Sequence, residues 1–150
     1  MSPQPVNCYG IDPETDFTIR PWLEKPLDRP FGYGDVIVGA GVAGDRGTQI
    51  SVGNQRYTIA GRLDPTRSSV DHAVILRLDD AYALASMEGI LPATAPRIAE
   101  GDVNAVLIRH VPDEDPELVG ERIERVFFAS PEFRYISLIG RHASLDPMAE

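Results

Sequence analysis

One cysteine, Cys8, is the whole thiol inventory of the 150 residues, so no disulfide can form within the chain and packing and hydrogen bonds must hold the fold. No run of about eighteen apolar residues occurs, which leaves no candidate bilayer span in this stretch. Basic residues are scarce: 14 Lys and Arg stand against 23 Asp and Glu, for a formal charge of −9. Phosphate backbones are bound by clustered cations, so this balance argues against nucleic acid as a partner. Paired CxxC, GxSxG and P-loop motifs are missing, and His72, His110 and His142 lie too far apart to form an HxxxH or HExxH pair. Residues 1–5 have neither the charged nor the apolar region of a signal peptide, the pattern of a cytosolic chain or of a piece of something larger. No basic residue adjoins Cys8 to activate it, so it reads as a small buried side chain.

What is present is ordinary for a globular domain, with 43% hydrophobic and 25% charged residues. The length suits one domain over 1–150, divisible into a β-rich part over about 1–101 and a second part over about 102–150.

Gly39, Gly41 and Gly44 stand in GxGxxG spacing directly after the apolar run Val36-Ile37-Val38. In a dinucleotide site the third glycine opens a helix whose free N–H groups face the pyrophosphate. Asp64 lies about twenty residues further on, where a ribose-binding carboxylate belongs. The following residues contradict the motif. From Thr48 to Val52 apolar and polar residues alternate, Gly53-Asn54 is a hairpin signal, and the alternation resumes through Tyr57, Ile59, Gly61 and Leu63, all expected on one face. The glycines therefore read as a strand-to-strand connection.

Around this unit, Val6–Ile11 reads as a strand and Asp12–Asp16 as its turn. Six of the 13 prolines fall within the first 30 residues, so Pro21–Leu27 is expected as a short helical turn or loop, with Phe17, Ile19, Trp22 and Leu23 anchoring it. Asp64, Thr66, Ser68, Ser69 and Asp71 offer a hydroxyl–carboxylate group, for which turn capping is the cheaper account. Ala73–Leu76 suits a strand buried on both faces, followed by a helix over Ala81–Glu88 with Asp79 as N-cap and Gly89 as its stop. Residues Ile90, Leu91, Pro92 and Ile98 belong to an apolar loop without period and are the candidate partner contacts. Val103–Val111 and Phe133–Ile139 read as strands flanking a helix over Glu117–Ala129. Asp115 caps that helix, Pro116 opens it, and a stripe of Leu118, Val119, Ile123, Val126 and Phe127 should lie on a sheet. Asp113-Glu114-Asp115 lacks the EF-hand pattern and reads as a solvated helix entrance. The expected class is α+β: a mixed sheet with hairpins and a C-terminal βαβ unit, with two to three helices.

Three segments, GDVIVGAGVAGDRG from Gly34, TQISVGNQRYTIAGRLDPT from Thr48 and VDHAVILRLDDAYALA from Val70, resemble the large extracytoplasmic domain of FtsX/MacB-like ABC-transporter permeases. Gly10–Phe17 with Pro21-Trp22-Leu23, and Asn104–Arg109 with 117–129 and Arg134-Tyr135-Ile136, extend the resemblance over most of residues 10–139. One departure concerns the turn before the aspartate, where the family often has Thr-Gly and this chain has Thr66-Arg67. Position 67 must then avoid positive φ or bear strain.

The resemblance implies a non-catalytic domain on the extracytoplasmic (periplasmic or cell-surface) side of the membrane, part of an integral membrane protein. It implies no catalytic residue, no metal and no cofactor in the domain itself, since ATP is used by a separate cytoplasmic ATPase. The implied partners are a second permease copy or paralogue, that ATPase through membrane helices outside this chain, and a periplasmic or cell-wall protein. Two other readings stay open: a small nucleotide-binding oxidoreductase-like domain built on the glycines, and a free-standing α/β adaptor or binding module.

Overall fold

The computed structural model describes residues 6–95, 97–103 and 113–128. The chain divides into two compact units, residues 1–103 and 104–150, taken separately below.

The first unit is built on a five-stranded mixed sheet in the order β1-β5-β2-β4-β3, with β1 over Asn7–Ile11, β2 over Asp35–Val38, β3 over Gln49–Val52, β4 over Gln55–Arg62 and β5 over Ala73–Arg77. β1 runs parallel to β5 and β2 parallel to β4, while β5 and β2 are antiparallel, as are β3 and β4. The class is α+β, as the sequence pattern implied. β3 and β4 form the expected hairpin, and positive φ at Gly53 alone is the sign pattern of a type II′ turn.

Both faces of the sheet are covered, which explains why Val74, Ile75 and Leu76 are an unbroken apolar run. Val36, Val38, Val74 and Leu76 point to one face, where α1 (Leu78–Ala85) brings Leu84 and Ala81, and Met87 and Ile90 follow. Ile37 and Ile75 point to the other. That second face is roofed by the proline-rich segment through Ile19, Trp22, Leu23, Leu27 and Phe31, with a 3-10 turn at Arg20–Trp22. Three of the four expected anchors are thus in place, and Phe17 stays at the surface at 36% exposure.

The alternation from Tyr57 to Leu63 does not keep one face. Val36 pairs with Ile59 but Ile37 with Gly61, so Ala60 is an extra residue in β4. The bulge sends Tyr57 and Ile59 to the α1 face and Ala60 and Leu63 to the roofed face. A second correction concerns α1, which starts at Leu78 and ends at Ala85 with Arg77 at the cap position and no side-chain cap. Asp79 does not cap, because its carboxylate accepts from Tyr33 Oη at 3.2 Å, and Asp80 accepts from Gly34 N at 2.9 Å. The strand runs straight into the helix, and its acidic first turn is spent on holding the 33–34 loop. Cys8, expected inside, is exposed on β1.

In the second unit α2 spans Pro116–Phe128, and Asp115 caps it as expected, its carboxylate accepting from Glu117 N at 2.9 Å. Of the apolar stripe, Val119 and Ile123 are half-buried, while Leu118 and Val126 are exposed. Of the strands expected over 103–111 and 133–139 only Val103 is described, exposed and in no strand; the rest, and with them the βαβ unit, lie outside the described residues.

Ile75 sits in the sheet interior with no exposed surface. Ile75→Ala is expected to cost about 3 kcal/mol in urea unfolding, the transfer term plus the cavity left between sheet and roof.

Candidate functional site

The glycine loop after β2 has the opposite polarity to a phosphate cradle. Arg62, the last residue of β4, reaches under the loop: its Nη1 donates to the carbonyl of Val42 at 3.0 Å and to that of Gly44, and its Nη2 donates to Ala40 O at 3.1 Å. A phosphate site converges N–H groups on an anion. Here carbonyl oxygens converge on a cation. The N–H groups of Gly39 and Gly41 are already bound, to Ala73 O at 2.9 Å and Asp71 O at 2.8 Å. A Cβ added at Gly39 would lie 2.5 Å from Asp71 O, and one at Gly41 would lie 2.7 Å from the His72 ring. Close approach to the 3-10 turn Ser69–His72 is what these two positions require. No helix follows Gly44; the chain continues into β3.

That turn is fastened by Asp71. Its carboxylate accepts from Thr66 N and Thr66 Oγ1, both at 2.7 Å, and from Arg67 N at 3.0 Å. These three bonds hold the Asp71 carboxyl below the usual carboxylate range, the Thr66 hydroxyl contributing most. Ser68 Oγ accepts from Val70 N at 3.2 Å, so the hydroxyl–carboxylate group does cap the turn. Arg67 takes φ of +58°, the left-handed region that a glycine would enter without cost. Of the two outcomes open to a Thr-Arg turn, the chain adopts the strained one, and Asp71 holds it there.

A polar cluster that the sequence reading missed lies where β5 meets α1. Arg77 stacks its guanidinium 4.6 Å from the centroid of the Tyr33 ring and donates to Phe31 O at 3.0 Å. Nearby, the buried Asp35 accepts from Arg29 through both oxygens, at 2.5 and 2.6 Å, and from Gly32 N at 2.8 Å. An Arg six residues before an Asp was one trace in the sequence. Their pairing needs the 30–34 turn, for which Pro30, Gly32 and Gly34 are the local signals.

The candidate partner contacts separate by burial. Ile90 packs against the core on the α1 face and Leu91 is half-buried, whereas Pro92 and Ile98 are exposed. In the second unit Asp115 is spent on the helix cap and Glu114 lies 3.4 Å from Arg122. His72 lines the glycine loop, and His110 and His142 lie outside the described residues. Among the described residues no three His, Cys, Asp or Glu side chains gather as a metal site would need.

Arg67→Gly is expected to raise stability by about 0.5–1 kcal/mol, the left-handed penalty minus the flexibility glycine adds to the unfolded chain. Urea midpoints of the two proteins check it. Asp71 sets an acid limit of known sign. Its folded pKa is lowered, so its contribution is complete above the unfolded value of about 3.9 and disappears as pH falls through the folded value. Asp71→Asn is expected to flatten that acid arm of a stability–pH curve. Set against protein-family models, curated proteins and solved structures, the chain matches none.

Proposed function

We propose that this chain is a non-catalytic extracytoplasmic domain of an FtsX/MacB-like ABC-transporter permease, coupling ATP-driven motion in a separate ATPase to substrate export or to a partner protein. The observation that carries the reading is Arg62. With its guanidinium bound to carbonyls of residues 40, 42 and 44, the glycine loop is consumed as architecture and offers no anion site. The segments that carry the resemblance then have structural tasks: the first makes β2 and its loop, the second the β3–β4 hairpin, the third β5 and α1. On this reading the domain works through contacts and motion.

The partners are the second permease copy or paralogue, the ATPase reached through membrane helices elsewhere in the protein, and a periplasmic or cell-wall protein. For the last, the exposed end of the 90–98 loop is the contact, which narrows the candidate residues to Pro92 and Ile98. Ile98→Asp is expected to weaken capture of that partner while leaving the thermal midpoint unchanged, because Ile98 is 41% exposed. Ile90→Asp is expected to lower the midpoint instead, since it places a charge against the core.

Location is tested on the full-length protein in cells. Cys8 is exposed, so a membrane-impermeant maleimide is expected to label it in intact cells, with Cys8→Ser as the control. Labelling of this position only after lysis rejects the extracytoplasmic assignment.

A further inference from the structure

Residues 25–33 lie across the roofed face of the first unit between two backbone attachments. Before them Glu24 N donates to Arg62 O at 2.9 Å, and after them β2 begins at Asp35. Among the described residues, their only backbone–backbone hydrogen bond is the local one from Asp35 N to Gly32 O at 3.3 Å, and Pro26 and Pro30 have no N–H to give. Phe31 is buried, Leu27 and Gly32 are half-buried, and the rest of the segment is exposed. Side chains supply the other ties. Arg46 donates to Pro26 O at 3.1 Å and pairs with Asp28 at 3.0 Å, Arg77 donates to Phe31 O at 3.0 Å, Tyr33 donates to Asp79 at 3.2 Å, and Arg29 holds both oxygens of Asp35. Under the segment Gly61 leaves a gap in β4. A Cβ there would lie 2.7 Å from Leu27 Cδ2, 3.1 Å from Leu23 Cδ2 and 3.5 Å from Ile37 Cγ1, so Leu27 fills the place of the missing side chain.

We propose that residues 25–33 form a flap that lifts as one unit while the strands of the sheet stay paired, uncovering an apolar socket floored by Gly61 and walled by Leu23 and Ile37. Local opening belongs to segments with few buried apolar contacts and with hydrogen bonds exposed to water, and this segment has both features. The sheet ladder does not pass through it, and the larger core cluster lies on the opposite face. No strand pairing has to break for the flap to leave. The buried charge favours the same boundary. Asp35 is 2% exposed and its carboxylate accepts from Arg29 and from Gly32 N, both in the flap. Lifting returns carboxylate and guanidinium to water together, so opening strands no charge in an apolar site. Closing seats Leu27 in the socket again, which makes the flap a reversible cover. The inference stands on the packing of the first unit alone, and its failure leaves the permease reading where it was.

Thiol reactivity reads the opening. Cys8→Ser removes the native thiol, Ile37→Cys then places one on the flap side of β2, and Val36→Cys places one on the opposite face of the same strand. Both positions are closed to solvent, at 3% and 0% exposure. With a small aromatic disulfide reagent in excess, Ile37→Cys is expected to react roughly tenfold faster than its own unfolding equilibrium in urea allows. That rate is expected to be nearly flat in low urea, because a lifted flap exposes little surface. Val36→Cys is expected to react only as fast as unfolding allows. Arg29→Ala is expected to raise the Ile37→Cys rate several-fold further, since it leaves Asp35 buried without its cation, and to create no such excess at Val36→Cys. Thermal midpoints establish that the variants fold; if Ile37→Cys does not, Leu63→Cys on the flap side and Ile59→Cys on the α1 side carry the same comparison. Equal excess on the two faces, a rate on the flap side that climbs with urea as steeply as unfolding, or no response to Arg29→Ala each overturns the proposal.

Discussion

The guanidinium of Arg62 is the contact on which most of the first unit depends. Arg62 closes β4, and its side chain gathers the connection that leaves β2, fixing residues 40–44 by three carbonyl groups. Its own carbonyl accepts from Glu24 N, and the next residue donates from Leu63 N to Val38 O, so the roof and the parallel pair β2–β4 meet at the same place. A parallel pair needs a crossover, and here it is residues 39–54, which carry β3 and no helix. The cation gives that connection an interior. Buried or half-buried carbonyls must find donors, and one planar group supplies several at once.

The dependence also explains which parts of the fold were readable from residues in sequence. β1, the β3–β4 hairpin, the doubly buried β5 and the cap of α2 follow from alternation, turn residues and capping chemistry, all of them local. The failures are non-local. Asp79 looks like a helix cap until Tyr33, 46 residues earlier, is brought beside it. The alternation through Leu63 looks uniform until the partner strand imposes a bulge at Ala60. Cys8 looks like a core residue by type, yet its strand lies at the rim.

At the candidate site the same division holds. The incompatibility of the glycine motif with a following strand was legible, because period-2 alternation after Gly44 is a local signal. What fills the loop was not, since Arg62 is 18 residues past Gly44 and nothing in its neighbourhood marks it. The Asp71 turn stood between these cases: the residue types announced capping, and the Thr-Arg pair announced a choice between ordinary and left-handed backbone. What decided the choice was not local to the pair: the Asp71 carboxylate, four residues on, accepts from Arg67 N and from Thr66 and holds the left-handed backbone.

The register Asn7↔Ala73 has a further consequence for how the chain assembles. β1 precedes β5 in the chain and has no partner until β5 exists, and its pairing closes a loop that contains every other strand of the sheet. Contacts of such sequence separation form slowly, because the entropy of closure is lost before the contact is gained. The β3–β4 hairpin, closed by two residues, is free to form at once. Folding is then expected to proceed from the hairpin outward and to finish at β1, leaving the strand that ends the sheet as the last to be protected from solvent exchange.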